Sequence, residues 1–276
     1  MSDGNGDSDG AIIDNLAAVW ASIDGLCRDL TAEEWERPTD CPGWSVKDHL
    51  SHVVGAESLL LGRPLPDHKP PRAGRLANPL AEINEVAVDY RRPWLGQRVL
   101  EEFRAVSGER LAQFRLLTPE DFARDSWMPV GTGTLRDLLR TRVFDCWVHE
   151  QDMRRALGRP GDMEGAPAQQ AMAMITAAMP RTIAKKAAPP DGATIVLNIT
   201  GPVRDVLSIG ITGKRANLLT DVPARPSVRL TTDIETFMRL AVGRCDPQSV
   251  LCDNRITIEG DESLGRRVVE HLNFLF

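Results

Sequence analysis

Asp145 and His149 stand four residues apart in the run Arg142-Val-Phe-Asp-Cys-Trp-Val-His-Glu-Gln-Asp-Met-Arg154. On a helix that spacing projects both side chains from one face, so a carboxylate oxygen and an imidazole nitrogen can reach a common ion. A third ligand from another helix would complete an open tridentate site, which for zinc leaves a fourth position for water or substrate. His52 is the candidate third ligand. His49, three residues earlier, shares part of the same helical face and stands as the alternative. Asp152 could orient the His149 ring as an acceptor, but a solvated acid is the simpler reading, and it is left out of the ligand set.

Thiol chemistry from the chain itself is a weaker prospect. The five cysteines, Cys27, Cys41, Cys146, Cys245 and Cys252, are odd in number and form no CxxC pair, so neither a disulfide framework nor a thiolate zinc knuckle is indicated. Cys146 follows Asp145 directly and therefore points roughly 100° around the helix from it, which makes packing its role. Cys41 reads as a small loop residue buried against Trp44. Trp20, Trp44 and Trp147 read as core.

The elements that must position these residues follow from apolar spacing. Ile12, Leu16, Val19, Trp20, Ile23 and Leu26 recur at helical intervals from Ala11 to about Leu30. After Cys41-Pro-Gly-Trp44, Ser45 with Asp48 reads as a capping box opening the helix that carries His49 and His52. A Pro-rich loop over 63–75 leads to a third helical region, about Pro79 to Leu117, interrupted near Pro93. Thr134 caps a fourth helix, which ends at Gly158 and Pro160 and carries Asp145 and His149. Four amphipathic helices suit a bundle, and bundle cores commonly hold metal sites built from facing helices. An Ala- and Met-rich helix over about 166–186 precedes Pro189-Pro-Asp-Gly192, where the pattern changes. Beyond it, 194–200, 206–211 and 227–231 have β character, while 234–242 and 264–276 look helical. The expected layout is a tail over 1–10, a bundle over 11–188 and a small α+β domain over 189–276.

Charge and composition exclude several classes. With 33 Lys and Arg against 39 Asp and Glu, the net charge is −6, and no basic tract follows a phosphate backbone, so nucleic acid is not expected as a partner. The opening MSDGNGDSDG lacks the features of a signal peptide and reads as a disordered tail, which places the protein in the cytoplasm. No apolar run reaches the roughly 20 residues of a bilayer span, so none is expected.

Trp35, the run Cys41-Pro-Gly-Trp-Ser-Val-Lys-Asp-His-Leu-Ser-His-Val-Val-Gly-Ala-Glu57 and the run 142–154 together resemble the mycothiol-dependent maleylpyruvate isomerase family. The resemblance implies a DinB-like four-helix bundle whose second-helix ligand is His52, the position of His49 being variable, with Asp145 and His149 completing the set. The founding type has Glu where this chain has Asp145. Phe237-Met-Arg-Leu-Ala-Val-Gly243 and Ile258-Glu-Gly-Asp-Glu-Ser-Leu-Gly265 resemble a sterol-carrier-protein-like domain. The family implies a divalent metal, zinc, and mycothiol as thiol cosubstrate, with isomerisation or S-transfer on a small electrophile as the reaction. A non-catalytic lipid- or small-molecule-binding protein with a structural metal is the alternative.

Overall fold

In the computed structural model, residues 8–71, 78–129 and 131–275 are described. The chain forms two compact units, Met1–Asp162 and Met163–Phe276.

The first unit is helical. Its elements are α1 (Asp9–Cys27), the single turn α2 (Ala32–Trp35), α3 (Val46–Leu60), α4 (Pro79–Arg91), α5 (Gly96–Phe114), the turn α6 (Pro119–Phe122), a two-residue hairpin of β1 (Asp125–Ser126) and β2 (Gly133–Thr134), and α7 (Leu135–Leu157). α1 packs on α5 and α7, and α3 on α5 and α7, which makes a four-helix bundle; α4 lies along α3. The region read as one interrupted third element is thus two helices, of which α5 belongs to the bundle. Pro93, which has no amide hydrogen with which to continue the helical ladder, and the bend that follows it separate them.

The helix that carries each candidate ligand starts where its polar signals place it. Ser45 and Asp48 form a reciprocal capping box on α3, as Thr134 and Asp137 do on α7, each satisfying amide groups that have no intrahelical acceptor. α7 stops at Gly158 in the left-handed conformation, φ 64°, which glycine adopts without a Cβ penalty. Asp9 and Gly10, read as part of the tail, are helical. Residues 1–7 lie outside the described residues, but Ser8 caps α1 by accepting from the Ala11 amide, and Asp9 pairs with Arg136 on α7. By length and composition alone α1 could cross a membrane, contrary to the sequence reading. Here Ile12, Leu16, Val19, Trp20 and Ile23 are buried in the bundle.

The second unit begins with α8 (Gly165–Thr182) and a π-helical turn, Ile183–Ala187, followed by β3 (Thr194–Thr200), β4 (Asp205–Thr212), β5 (Arg215–Leu218), β6 (Val228–Asp233), α9 (Ile234–Ala241), α10 (Pro247–Cys252), β7 (Ile256–Gly260) and α11 (Glu262–Glu270). The strand order is β5-β4-β3-β6-β7, antiparallel except for the parallel pair β3–β6. α8 packs against β5 and α9. The units therefore divide before α8, about 26 residues ahead of the boundary read at 189. The composition shift at Pro189 marks the start of the sheet, whereas the apolar face of α8, with Met172, Ile175 and Met179 buried, belongs with the second unit. Helix α11 ends at Glu270 rather than running to the C-terminus, and residues 271–275 are irregular, with Leu272 buried and the Phe274 amide bonded to the Ala241 carbonyl at 3.0 Å.

Close approach of α3 and α4 depends on Gly55. A Cβ there would stand 2.3 Å from Cβ of Ala87. Gly55→Ala gains helix propensity of about 1 kcal/mol but forces the helices apart, so a net loss of about 1–2 kcal/mol is expected from denaturant unfolding of the full chain. An unchanged midpoint would show that α4 moves freely on α3.

Candidate metal centre

The stripe Arg142, Asp145, His149 and Asp152 runs along one side of α7, at the spacing that stacks side chains on a helix face. On α3, His49 and His52 face it. The structure brings the three sequence-read residues together: His52 Nε2 lies 3.1 Å from Asp145 Oδ2, and His149 Nε2 lies 3.6 Å from Asp145 Oδ1. One ligand atom from each of His52, Asp145 and His149 falls within 4.8 Å of the others. A second group, His49, His149 and Asp152, meets the same criterion and shares His149.

The two groups differ in access. His49 and Asp152 side chains are 0% exposed, while the Asp145 side chain is 27% exposed. An open coordination position would face the more exposed Asp145 side. His52 faces Asp145 with Nε2, while its Nδ1 is buried with no hydrogen-bond partner among the described residues.

Electrostatics favour the ligand forms. Burial pushes the pKa of His52 down, against the opposing pull of Asp145, which keeps the imidazole neutral. Burial alone would raise the Asp145 carboxyl, but the Arg142 guanidinium, then His52 and His149, hold it well below the usual carboxylate range. Arg142 donates to Asp145 Oδ2 at 2.7 Å and to Glu57 Oε1 at 2.7 Å. Arg110 donates to the other Glu57 oxygen at 2.9 Å. Two imidazoles with a carboxylate held in its charged form are a donor set that zinc accepts, and the residues fit such an ion.

Several participants were not read from the sequence. Asp152, expected to be solvated, is buried 3.7 Å from His149 Nδ1 and is paired with Arg155. Its position at i+3 from His149 was the available signal. Trp44, expected in the core, is half-buried, and its ring lies 5.3–5.7 Å from the rings of His49, His52 and His149. Cys41 is half-buried rather than buried. Glu57 and Arg142 sit in the resembling motifs, but nothing in their local spacing marks them as partners 85 residues apart. Cys146 is packed as expected: it accepts from Trp20 Nε1 and Arg142, and burial raises its thiol pKa to about 12.

A histidine–carboxylate cluster inside a DinB-like helical bundle, followed by a sterol-carrier-like α+β unit, defines a two-domain protein class. Residues 16–154 match the mycothiol maleylpyruvate isomerase N-terminal domain, and residues 175–273 match the SCP-2 sterol transfer family. The chain belongs to the mycothiol maleylpyruvate isomerase family, with an SCP2-like C-terminal domain. Two curated relatives from Mycobacterium tuberculosis strains, both named uncharacterized proteins, are 24% identical over 239 residues, covering 85% of this chain and 86% of theirs. A crystal structure of the mycothiol-dependent maleylpyruvate isomerase superposes with a TM-score of 0.60 at 12% identity, over 91% of this chain and 93% of that one, a likeness of fold.

Glu57 holds two guanidinium groups whose side chains are 7% and 8% exposed. Glu57→Ala removes the buried counter-charge of Arg110 and leaves Arg142 with Asp145 alone, and is expected to cost about 3–5 kcal/mol in urea unfolding of the full chain. A loss below about 1 kcal/mol, the surface-pair range, would mean that water reaches the network.

Proposed function

We propose that this protein is a metal-dependent, mycothiol-using isomerase or S-transferase in which His52, Asp145 and His149 hold one zinc ion. The observation that carries the reading is the convergence of these three side chains from α3 and α7, with only Asp145 partly open to solvent. When bound, the ion supplies a Lewis acid that favours the thiolate of mycothiol over its thiol at neutral pH. Arg142 keeps Asp145 charged and engages its Oδ2. Trp44 walls the cluster and limits water around the imidazoles.

The nucleophile comes from the cosubstrate. Cys27 and Cys146 are buried, and their thiol pKa values are raised to about 12, chiefly by burial. The mycothiol thiolate can add to an activated double bond and leave after rotation, giving cis–trans isomerisation. Displacement of a leaving group by the same thiolate gives S-transfer. Free cysteines agree with a reducing cytoplasmic setting.

A second reading is supported by the SCP-2 match over residues 175–273: a non-catalytic carrier of an apolar molecule, with the metal tying the bundle together. A stoichiometric lipid in an organic extract, without thiol-dependent turnover, would favour it.

Elemental analysis is expected to find one zinc per chain, and His52→Ala or His149→Ala to lose most of it. Full metal in both variants defeats the ligand assignment. Turnover of maleyl-type, halogenated or epoxide electrophiles is expected to require zinc and mycothiol together. It should survive replacement of all five cysteines in folded protein, while Asp145→Asn should be the more damaging change. Full-rate turnover without a low-molecular-weight thiol would overturn the mechanism.

A further inference from the structure

The metal-facing side of His149 is only half of its environment. Its Nδ1 lies 2.8 Å from Nδ1 of His49. At that distance one nitrogen carries the proton and the other offers a lone pair. The pair by itself does not choose which.

The choice is made at the far end of His49, whose Nε2 lies 2.8 Å from Thr39 Oγ1. A threonine hydroxyl has one proton and two lone pairs. The Cys41 amide donates to Thr39 Oγ1 at 3.2 Å, and the Trp44 carbonyl, an acceptor only, lies 3.1 Å from it. With the hydroxyl proton on that carbonyl, the remaining lone pair accepts from Nε2–H of His49. Nδ1 of His49 is then bare, so His149 donates from Nδ1–H and keeps a lone pair on Nε2, on the side of Asp145 Oδ1. In the reverse assignment the Trp44 carbonyl keeps the Thr39 amide, 3.0 Å away, but loses the hydroxyl proton, and the His149 proton moves to Nε2, where a ligand lone pair is needed. Asp152 Oδ2, 3.7 and 3.9 Å from the two Nδ1 atoms, sets a negative charge beside the shared proton.

We propose that Thr39 and His49 form a proton-orienting relay that fixes His149 as the Nδ1–H tautomer, with its Nε2 lone pair turned toward Asp145. The relay gains its purpose from the metal-binding reading above. His49 is in this scheme a positioning residue, not a ligand, and the second group of donors around it holds a proton in place of an ion.

Long-range proton–nitrogen spectra of metal-free protein labelled with 15N-histidine, at neutral pH, should show a bare Nε2 on His149 and a bare Nδ1 on His49. The opposite tautomers would overturn the relay. In zinc titrations, Thr39→Val and His49→Leu should each weaken binding about 10- to 100-fold with the stoichiometry unchanged. Thr39→Ser keeps the hydroxyl, and His49→Asn places a carbonyl near the Nδ1 position, so each should recover most of the loss. Conservative variants as damaged as the apolar ones, in protein shown folded by circular dichroism, would overturn the proposal, as would a second zinc per chain lost with His49 or Asp152. Failure of wild-type protein to bind zinc would defeat the metal reading alone, because the tautomers are read without metal.

Discussion

The first unit is organised around a charge that cannot be left alone. Glu57 on α3 is buried between Arg110 of α5 and Arg142 of α7, and Arg142 continues to Asp145. Taking these groups out of water is expensive, and only close pairing compensates for it. Each helix that supplies a partner is therefore held at a fixed rotation. That rotation turns His49 and His52 toward Asp145 and His149.

The same network decides the chemistry of the cluster. A buried carboxylate tends to take up a proton, which would make Asp145 a poor ligand, but the Arg142 guanidinium reverses that tendency. On His52 burial outweighs the opposing pull of Asp145 and lowers the pKa, and loss of the proton is what a ligand needs. A carboxylate kept charged beside an imidazole kept neutral is a prepared donor set. The partly exposed edge at Asp145 supplies access, while the buried side around His49 and Asp152 supplies orientation.

The second unit has a separate internal logic. Its sheet places the parallel pair β3–β6 between antiparallel neighbours, and β6 alternates buried and half-buried residues along its length. Gly260 at φ +94° marks the end of β7, where a Cβ would meet the Ser227 carbonyl at 2.5 Å. This is a position that only glycine fills without strain.

Much of this was legible in the sequence because the signals are local. Capping boxes at Ser45 and Thr134, the stop at Gly158 and the four-residue spacing of Asp145 and His149 each involve residues within one or two helical turns. The strands 194–200 and 206–211 were likewise carried by continuous β-rich runs, whereas β5 and β7 are short, with mostly exposed or half-exposed residues, and were not seen. Assignment of α8 to the second unit, and of α5 rather than α4 to the bundle, depended on which apolar face found a partner, and spacing alone does not encode that. The burial of Asp152, the place of Trp44 against three imidazoles and the choice of His149 nitrogen were decided only by tertiary structure. Each depends on side chains roughly 100 residues apart being brought together by the fold, as His49 and His149 are at 2.8 Å, in a buried medium where polar groups need partners.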